Sequence, residues 1–275
     1  MKIPIIYFSS SGNTKYICEL VSQGLKSIRV DSELIEIEKI KKNKIKIENY
    51  DCIGIGSPIY GLNFVPIIYE WMESLPPTNN NNRFFLIDTM AGLPGGAIQK
   101  ARKLLEHKGY RCIGCLEISV PTYDSVIWTD FFQKVSWNKN KIKRAYFFGR
   151  KIGYLIKKDK YAFIKEYSKF PLGVIASKLF KYLERIMYKY LTKVLSRNPY
   201  KCIKCRRCEL ACPVNAIDIE KDIFFDPEKC IFCFRCMRTC PKGALYFKLF
   251  PKAEFFKGPF QIKGYIPPED IDKYL

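Results

Sequence analysis

CIKCRRCELACP (Cys202 to Pro213) and CIFCFRCMRTCP (Cys230 to Pro241) place eight of the chain's twelve cysteines in two copies of one spacing, shifted by 28 residues. The match between the copies extends past the cysteines to Ala216 and Ala244 and to Ile217 and Leu245, which makes the stretch an internal repeat. Two-residue gaps wrap a backbone tightly enough for three thiolates to converge on one iron–sulfur cube, with the intervening N–H groups turned towards sulfur. The fourth cysteine of each copy, three residues on, points elsewhere. Paired CxxC units also suit zinc, but this spacing, repeated and closed each time by Cys-Pro, favours iron–sulfur. Disulfides fit less well still.

Over about residues 200 to 249 the chain resembles the bacterial two-[4Fe-4S] ferredoxins, a small α+β fold with pseudo-twofold symmetry in which each half gives a hairpin and a short helix. The bacterial pattern implies crossed ligand sets. Cys202, Cys205, Cys208 and Cys240 would hold one cube, and Cys230, Cys233, Cys236 and Cys212 the other. The metals would then interlock the two halves.

Upstream, 275 residues of 48% apolar composition leave room for a core-bearing domain of about 150 residues beside the metal-stapled one. Ile3 to Phe8 is a continuous apolar run suited to a buried parallel strand, and it feeds Ser9-Ser10-Ser11-Gly12-Asn13-Thr14. A helical pattern follows at Ile17, Leu20, Val21 and Leu25. Such a turn offers hydroxyls and helix N-terminal amides to a phosphate, though serine-rich helix caps without a ligand are as common. The Lys-Ser/Thr ending of a nucleotide P-loop is absent. Strand signals at Ser32–Ile37, Cys52–Ser57, Arg83–Asp88 and Cys112–Val120 alternate with helix signals at Val65–Leu75, Ala97–Lys108 and Ile142–Lys158. The expected architecture is α/β, a doubly wound five-stranded parallel sheet.

This half resembles the flavodoxins, through the hydroxyl-Gly-Asn-Thr turn and through GSPIYG (Gly56 to Gly61) after the third strand. The resemblance implies FMN at the carboxyl ends of the strands. Ser9, Ser10, Ser11, Gly12, Asn13 and Thr14 would bind its phosphate, and Pro58, Ile59, Tyr60 and Gly61 would border the isoalloxazine. After the fourth strand the chain reads Asp88-Thr89-Met90-Ala91-Gly92, without the aromatic that many flavodoxins stack on the ring. Tyr123 is a candidate substitute, its plainer reading being a surface tyrosine.

The remaining chemistry-bearing residues read as structural. Cys112 and Cys115 form a third CxxC, but residues three apart in a strand project from opposite faces unless Gly114 bulges. With Cys18 and Cys52 they read as small buried hydrophobes. His107, the sole histidine, suits a helix C-terminus, and a histidine triad is otherwise unprovided for. Cys52 to Tyr69 is uncharged over 18 residues, but its glycines and prolines argue for a strand and loop rather than a membrane span. With no signal-like opening, the expected compartment is the reducing cytosol.

Of the net charge of +20, residues 134 to 201 carry most, with 19 Lys/Arg against 3 Asp/Glu. Within them Ile175 to Val194 has an apolar stripe beside a basic one (Lys178, Lys181, Arg185, Lys189), which suits a helix packed between domains, a membrane-surface helix or a docking face. Nucleic acid fits poorly, because no reading motif accompanies the charge. The expected organisation is a flavodoxin-like domain over 1–160, a basic helical connector over 161–199, a two-cluster domain over 200–249 and an aromatic tail over 250–275.

The domain order resembles the flavodoxin–ferredoxin fusions of anaerobic bacteria and archaea. It implies an electron-transfer protein that passes single electrons through two [4Fe-4S] clusters to or from FMN. A flavin-dependent reductase of a small molecule fed by the clusters, or a ferredoxin with a flavin-free docking domain, are the alternatives. Lys204, Arg206, Arg207, Arg235 and Arg238, opposed between the ligands only by Glu209, point to an acidic redox partner protein or an anionic membrane surface.

Overall fold

The computed structural model describes residues 2–43, 50–79, 82–92, 95–121, 136–160, 162–167, 195–221, 224–248 and 258–275. Strands β1 (Lys2–Tyr7), β2 (Asp31–Glu36), β3 (Cys52–Tyr60), β5 (Arg83–Met90) and β6 (Arg111–Ser119) are parallel in the order β2-β1-β3-β5-β6. The interior positions of β1, β3, β5 and β6 are almost wholly buried, as expected of apolar runs covered on both faces, whereas the edge strand β2 is only partly so. Helices α1 (Asn13–Lys26) and α5 (Lys139–Lys157) cover one face. On the other lie α2 (Ile37–Asn43), α3 (Pro66–Ser74) and α4 (Ala97–His107).

Three features depart from the sequence reading. The third strand runs on through Tyr60 instead of ending at Ser57, because Gly61 and Leu62 adopt left-handed turns (φ 56 and 63°) that fold the chain back as β4 (Asn63–Phe64). A short parallel strand β7 (Ile164–Glu166) extends the sheet beyond β6, so residues assigned to the connector belong to this domain. Finally, β6 bulges: Phe84 pairs with Cys112 and Phe85 with Gly114, leaving Ile113 extra. The bulge turns Cys112 and Cys115 to the same face, their sulfurs 3.6 Å apart in the core, against the expectation of opposite faces.

Helices α1 and α5 meet backbone to backbone. A Cβ on Gly24 would stand 2.0 Å from the Tyr146 carbonyl oxygen, and one on Gly149 would stand 2.1 Å from that of Val21. Only hydrogen fits at both places.

The cluster domain pairs β8 (Leu195–Arg197) antiparallel with β9 (Leu245–Phe247) and contains α6 (Arg207–Leu210) and α7 (Arg235–Thr239). Its repeat is written in the backbone as well as the sequence. Left-handed residues occur in pairs 28 apart, at Lys204 and Phe232 (φ 52 and 56°), Arg206 and Phe234 (both 58°), and Asn215 and Gly243 (51 and 56°). Residues 258–275 return to the larger domain. There Tyr16 donates to the Ile266 carbonyl (2.7 Å), Tyr146 donates to Asp272 (2.8 Å), and Trp137 and Tyr265 pack on the Tyr16 ring. Tyr123, the stretch Ile175 to Val194 and the start of the tail lie outside the described residues. Among the described residues no helix is long and apolar enough to cross a membrane.

Candidate functional site

The left-handed turns of the repeat aim amides at sulfur. Ala216 N donates to Cys212 Sγ (3.1 Å) and Ala244 N to Cys240 Sγ (3.2 Å), again 28 residues apart, while Phe232 N donates to Cys230 Sγ (3.3 Å). Such bonds stabilise thiolate sulfur and help set the potential of a cluster bound to it. Cys202, Cys205, Cys208 and Cys240 line one hollow. Cys212 crosses to the other repeat, within electrostatic reach of Cys230, Cys233 and Cys236. A single zinc would draw four sulfurs to within about 3.8 Å of one another, given its bond lengths. Among the described residues no three His, Cys, Asp or Glu side chains are placed to hold one metal ion.

The two sets differ in surroundings. The first, here called the outer set, opens to solvent: Cys205 is exposed, and Lys201, Lys204, Arg206, Arg207 and Lys242 rim the hollow. Arg206 pairs with Glu209 at 2.6 Å. The inner set abuts the larger domain, whose core cluster includes Ile231 and Cys233, with Val214 packed against it. Burial pushes the Cys230 thiol up to about 12 and raises Cys233 and Cys236 as well. A metal taking these sulfurs as thiolates must displace the protons.

The loop Ser9 to Thr14 lies where β1 hands over to α1. Gly12 precedes the helix in a left-handed conformation (φ 88°), and no side chain caps the first turn. Thr14 Oγ1 and Thr89 Oγ1 are 2.8 Å apart, and Asn13 Nδ2 donates to the Pro121 carbonyl (2.7 Å). Ser9 Oγ and Asn13 Oδ1 are buried without a hydrogen-bond partner among the described residues. An uncapped fourteen-residue helix with the buried, unpartnered Ser9 hydroxyl near its start fits the phosphate of a flavin nucleotide. The β3–β4 hairpin completes the strand-end rim, with Pro58, Ile59, Tyr60 and Gly61 all half-buried at its turn.

The sequence groups Arg235 and Arg238 with the exposed cations, and the structure separates them. Both turn inward from α7 onto the loop. Arg235 pairs with Glu38, lies over the Phe8 ring (4.8 Å) and donates from Nη2 to the Ser9 carbonyl (2.8 Å). Arg238 Nη1 donates to Ser10 Oγ (2.9 Å), and Ser10 Oγ in turn donates to the carbonyl of Cys233. A side chain of the phosphate-type loop therefore touches the backbone of an inner-set cysteine.

Asp88 is a residue that sequence reasoning placed at the end of the fourth strand and gave no role. It is fully buried at the end of β5, beside Glu117 in β6, with neither oxygen partnered among the described residues. Burial, reinforced by Glu117, holds its pKa well above the usual carboxylate range.

Comparison with known proteins identifies two domains. A flavodoxin domain model matches residues 4–107, and a 4Fe-4S dicluster domain model matches residues 201–244. No curated protein matches the chain. Among solved structures, a flavodoxin from the domain Archaea is 19% identical, with 57% of this chain and 99% of that chain covered and a TM-score of 0.43. Megasphaera elsdenii flavodoxin is 17% identical, with 54% and 98% covered and a TM-score of 0.41. Rubredoxin oxygen:oxidoreductase from Desulfovibrio gigas is 15% identical over 58% of this chain and only 37% of its own, with a TM-score of 0.45. The chain thus carries a flavodoxin domain followed by a 4Fe-4S dicluster domain, an order that matches a flavodoxin–ferredoxin fusion and supports electron transfer with flavin and iron–sulfur.

Proposed function

We propose that the protein carries electrons between a partner docked at the outer cysteine set and FMN held at the Ser9–Thr14 loop, by way of two [4Fe-4S] clusters. The observation that carries this reading is the contact between Ser10 and Cys233, which puts the inner set against the flavodoxin loop while the outer set stays open. Clusters supply one-electron steps and FMN one- or two-electron chemistry. The chain's own part is placement. Cys202, Cys205, Cys208 and Cys240 would hold the outer cube, and Cys230, Cys233, Cys236 and Cys212 the inner. Ser9, Ser10, Ser11, Gly12, Asn13 and Thr14 would hold the phosphate, with Pro58, Ile59, Tyr60 and Gly61 along the ring. An anaerobic preparation is expected to yield about eight iron, about eight sulfide and about one FMN per chain. About four iron, about two zinc, or failure of added FMN to bind would each refute the corresponding cofactor.

The partner proposed is an acidic protein. Five cations rim the outer hollow, and such a face steers acidic partners at low salt. Reduction by an acidic ferredoxin, followed by stopped flow, is expected to slow at least tenfold between low salt and 1 M, where the reach of exposed charges shrinks to about 3 Å. A rate flat with salt would show that the rim does not steer.

A further inference from the structure

Between Ser9 and Thr14 the flavodoxin loop has hydroxyls, a glycine and an amide but no cation. The next residue, Lys15, is exposed and faces Glu19 at 3.8 Å. The nearby positive charge comes from the other domain: Arg238 Nη1 reaches Ser10 Oγ at 2.9 Å and the Cys233 carbonyl at 3.2 Å. Arg235, anchored by Glu38, fixes the same helix to the Ser9 carbonyl. Both arginines stand within two residues of Cys236, and Cys233 and Cys240 flank the helix that carries them.

We propose that Arg238, presented by α7 of the cluster domain, is a phosphate ligand of the flavin site, with Arg235 as the residue that positions it, so that the flavin phosphate is bound jointly by the two domains. This inference rests on the reading of Ser9–Thr14 as an FMN phosphate loop. The physical case has three parts. A phosphate ester at neutral pH carries up to two negative charges, and an uncapped helix start offers only about half a positive charge in return. A guanidinium supplies a full charge in a planar fork matched to phosphate oxygens. The Ser9 hydroxyl, buried and unsatisfied among the described residues, is a donor still available to a phosphate oxygen. Because α7 contains inner-set Cys236 and follows inner-set Cys233, assembly of the inner cluster and binding of the flavin phosphate become thermodynamically linked, and the linkage is reciprocal.

The test compares FMN with riboflavin, which lacks the phosphate, on the fully loaded protein after its own flavin has been removed. In the wild type both are titrated by fluorescence quenching. Arg238→Gln, with iron content unchanged, is expected to weaken FMN roughly tenfold to a hundredfold while changing riboflavin affinity less than about twofold. An equal loss for both ligands would make Arg238 merely structural and overturn the proposal. Unchanged or tightened FMN binding would overturn it too, the latter by showing that the arginine competes for Ser10. Should Arg238→Gln shed iron, Arg238→Lys keeps the charge without the fork, and FMN is expected to weaken more than riboflavin there as well; an equal effect overturns the proposal. If the wild type itself fails to bind FMN, the flavin reading falls, a result distinct from failure of the arginine alone.

Discussion

Replacing Cys236 by serine is expected to reduce iron from about eight to about four per chain and to weaken FMN at least tenfold, whereas Cys205→Ser should cost the same iron and leave FMN in place. The two substitutions remove chemically equivalent thiols, one from each proposed ligand set. Their surroundings are not equivalent. Cys205 is exposed on the basic face, while Cys236 lies inside α7 between Arg235 and Arg238, the two residues that touch the loop. Loss of the inner cluster frees that helix and with it the interdomain contacts. Iron analysis, electron paramagnetic resonance of the reduced protein and FMN titration on both variants check this. Equal loss of FMN from both, or from neither, would mean that the inner set does not support the flavin site.

The second large effect is on stability. Alanine for glycine in the middle of a helix ordinarily stabilises by about 1 kcal/mol through backbone entropy. Gly149→Ala is expected to do the opposite, destabilising by roughly 3 kcal/mol or more, because its new methyl would meet the Val21 carbonyl oxygen at 2.1 Å. The obstacle is backbone, which no rotamer change can move aside, so relief requires α1 and α5 to separate along their shared face. Gly24→Ala should behave alike, through the Tyr146 carbonyl. For a urea slope near 2 kcal/mol/M the midpoint falls by about 1.5 M. A midpoint that rises would show that α1 and α5 part without cost.

Much of this was legible beforehand. Apolar runs such as Ile3–Phe8 announce strands buried on both faces, and five of the sheet's six parallel strands fall where the sequence places them. The cysteine spacing carries the repeat, which the left-handed pairs then reproduce in backbone geometry. The misses have physical causes. Ile-Lys-Glu at 164–166 is too short and polar to alternate, so an edge strand there leaves no periodic signal. The bulge at Ile113 is a matter of register between neighbours, and without it Cys112 and Cys115 look incompatible. Arg235 and Arg238 read as solvent-facing because a charge count along the chain holds no information about which face of a five-residue helix meets another domain. The same limit applies to Asp88, whose raised pKa comes from burial between strands and from Glu117 across the sheet rather than from its neighbours in sequence.

The return of residues 258–275 to the flavodoxin domain changes what kind of appendage the cluster domain is. It leaves after β7 and comes back at Pro259, which packs on Gly12, so it is an insertion held at both ends and not a bead on a string. A module tied at one point sweeps a sphere around its tether; one tied at two is confined to rocking about the line between them. That confinement keeps the inner cysteine set at a high effective concentration beside the Ser9–Thr14 loop even in moments when the Arg235 and Arg238 contacts open. Cutting a single peptide bond between β7 and β8 would therefore leave the cluster domain attached through its other anchor.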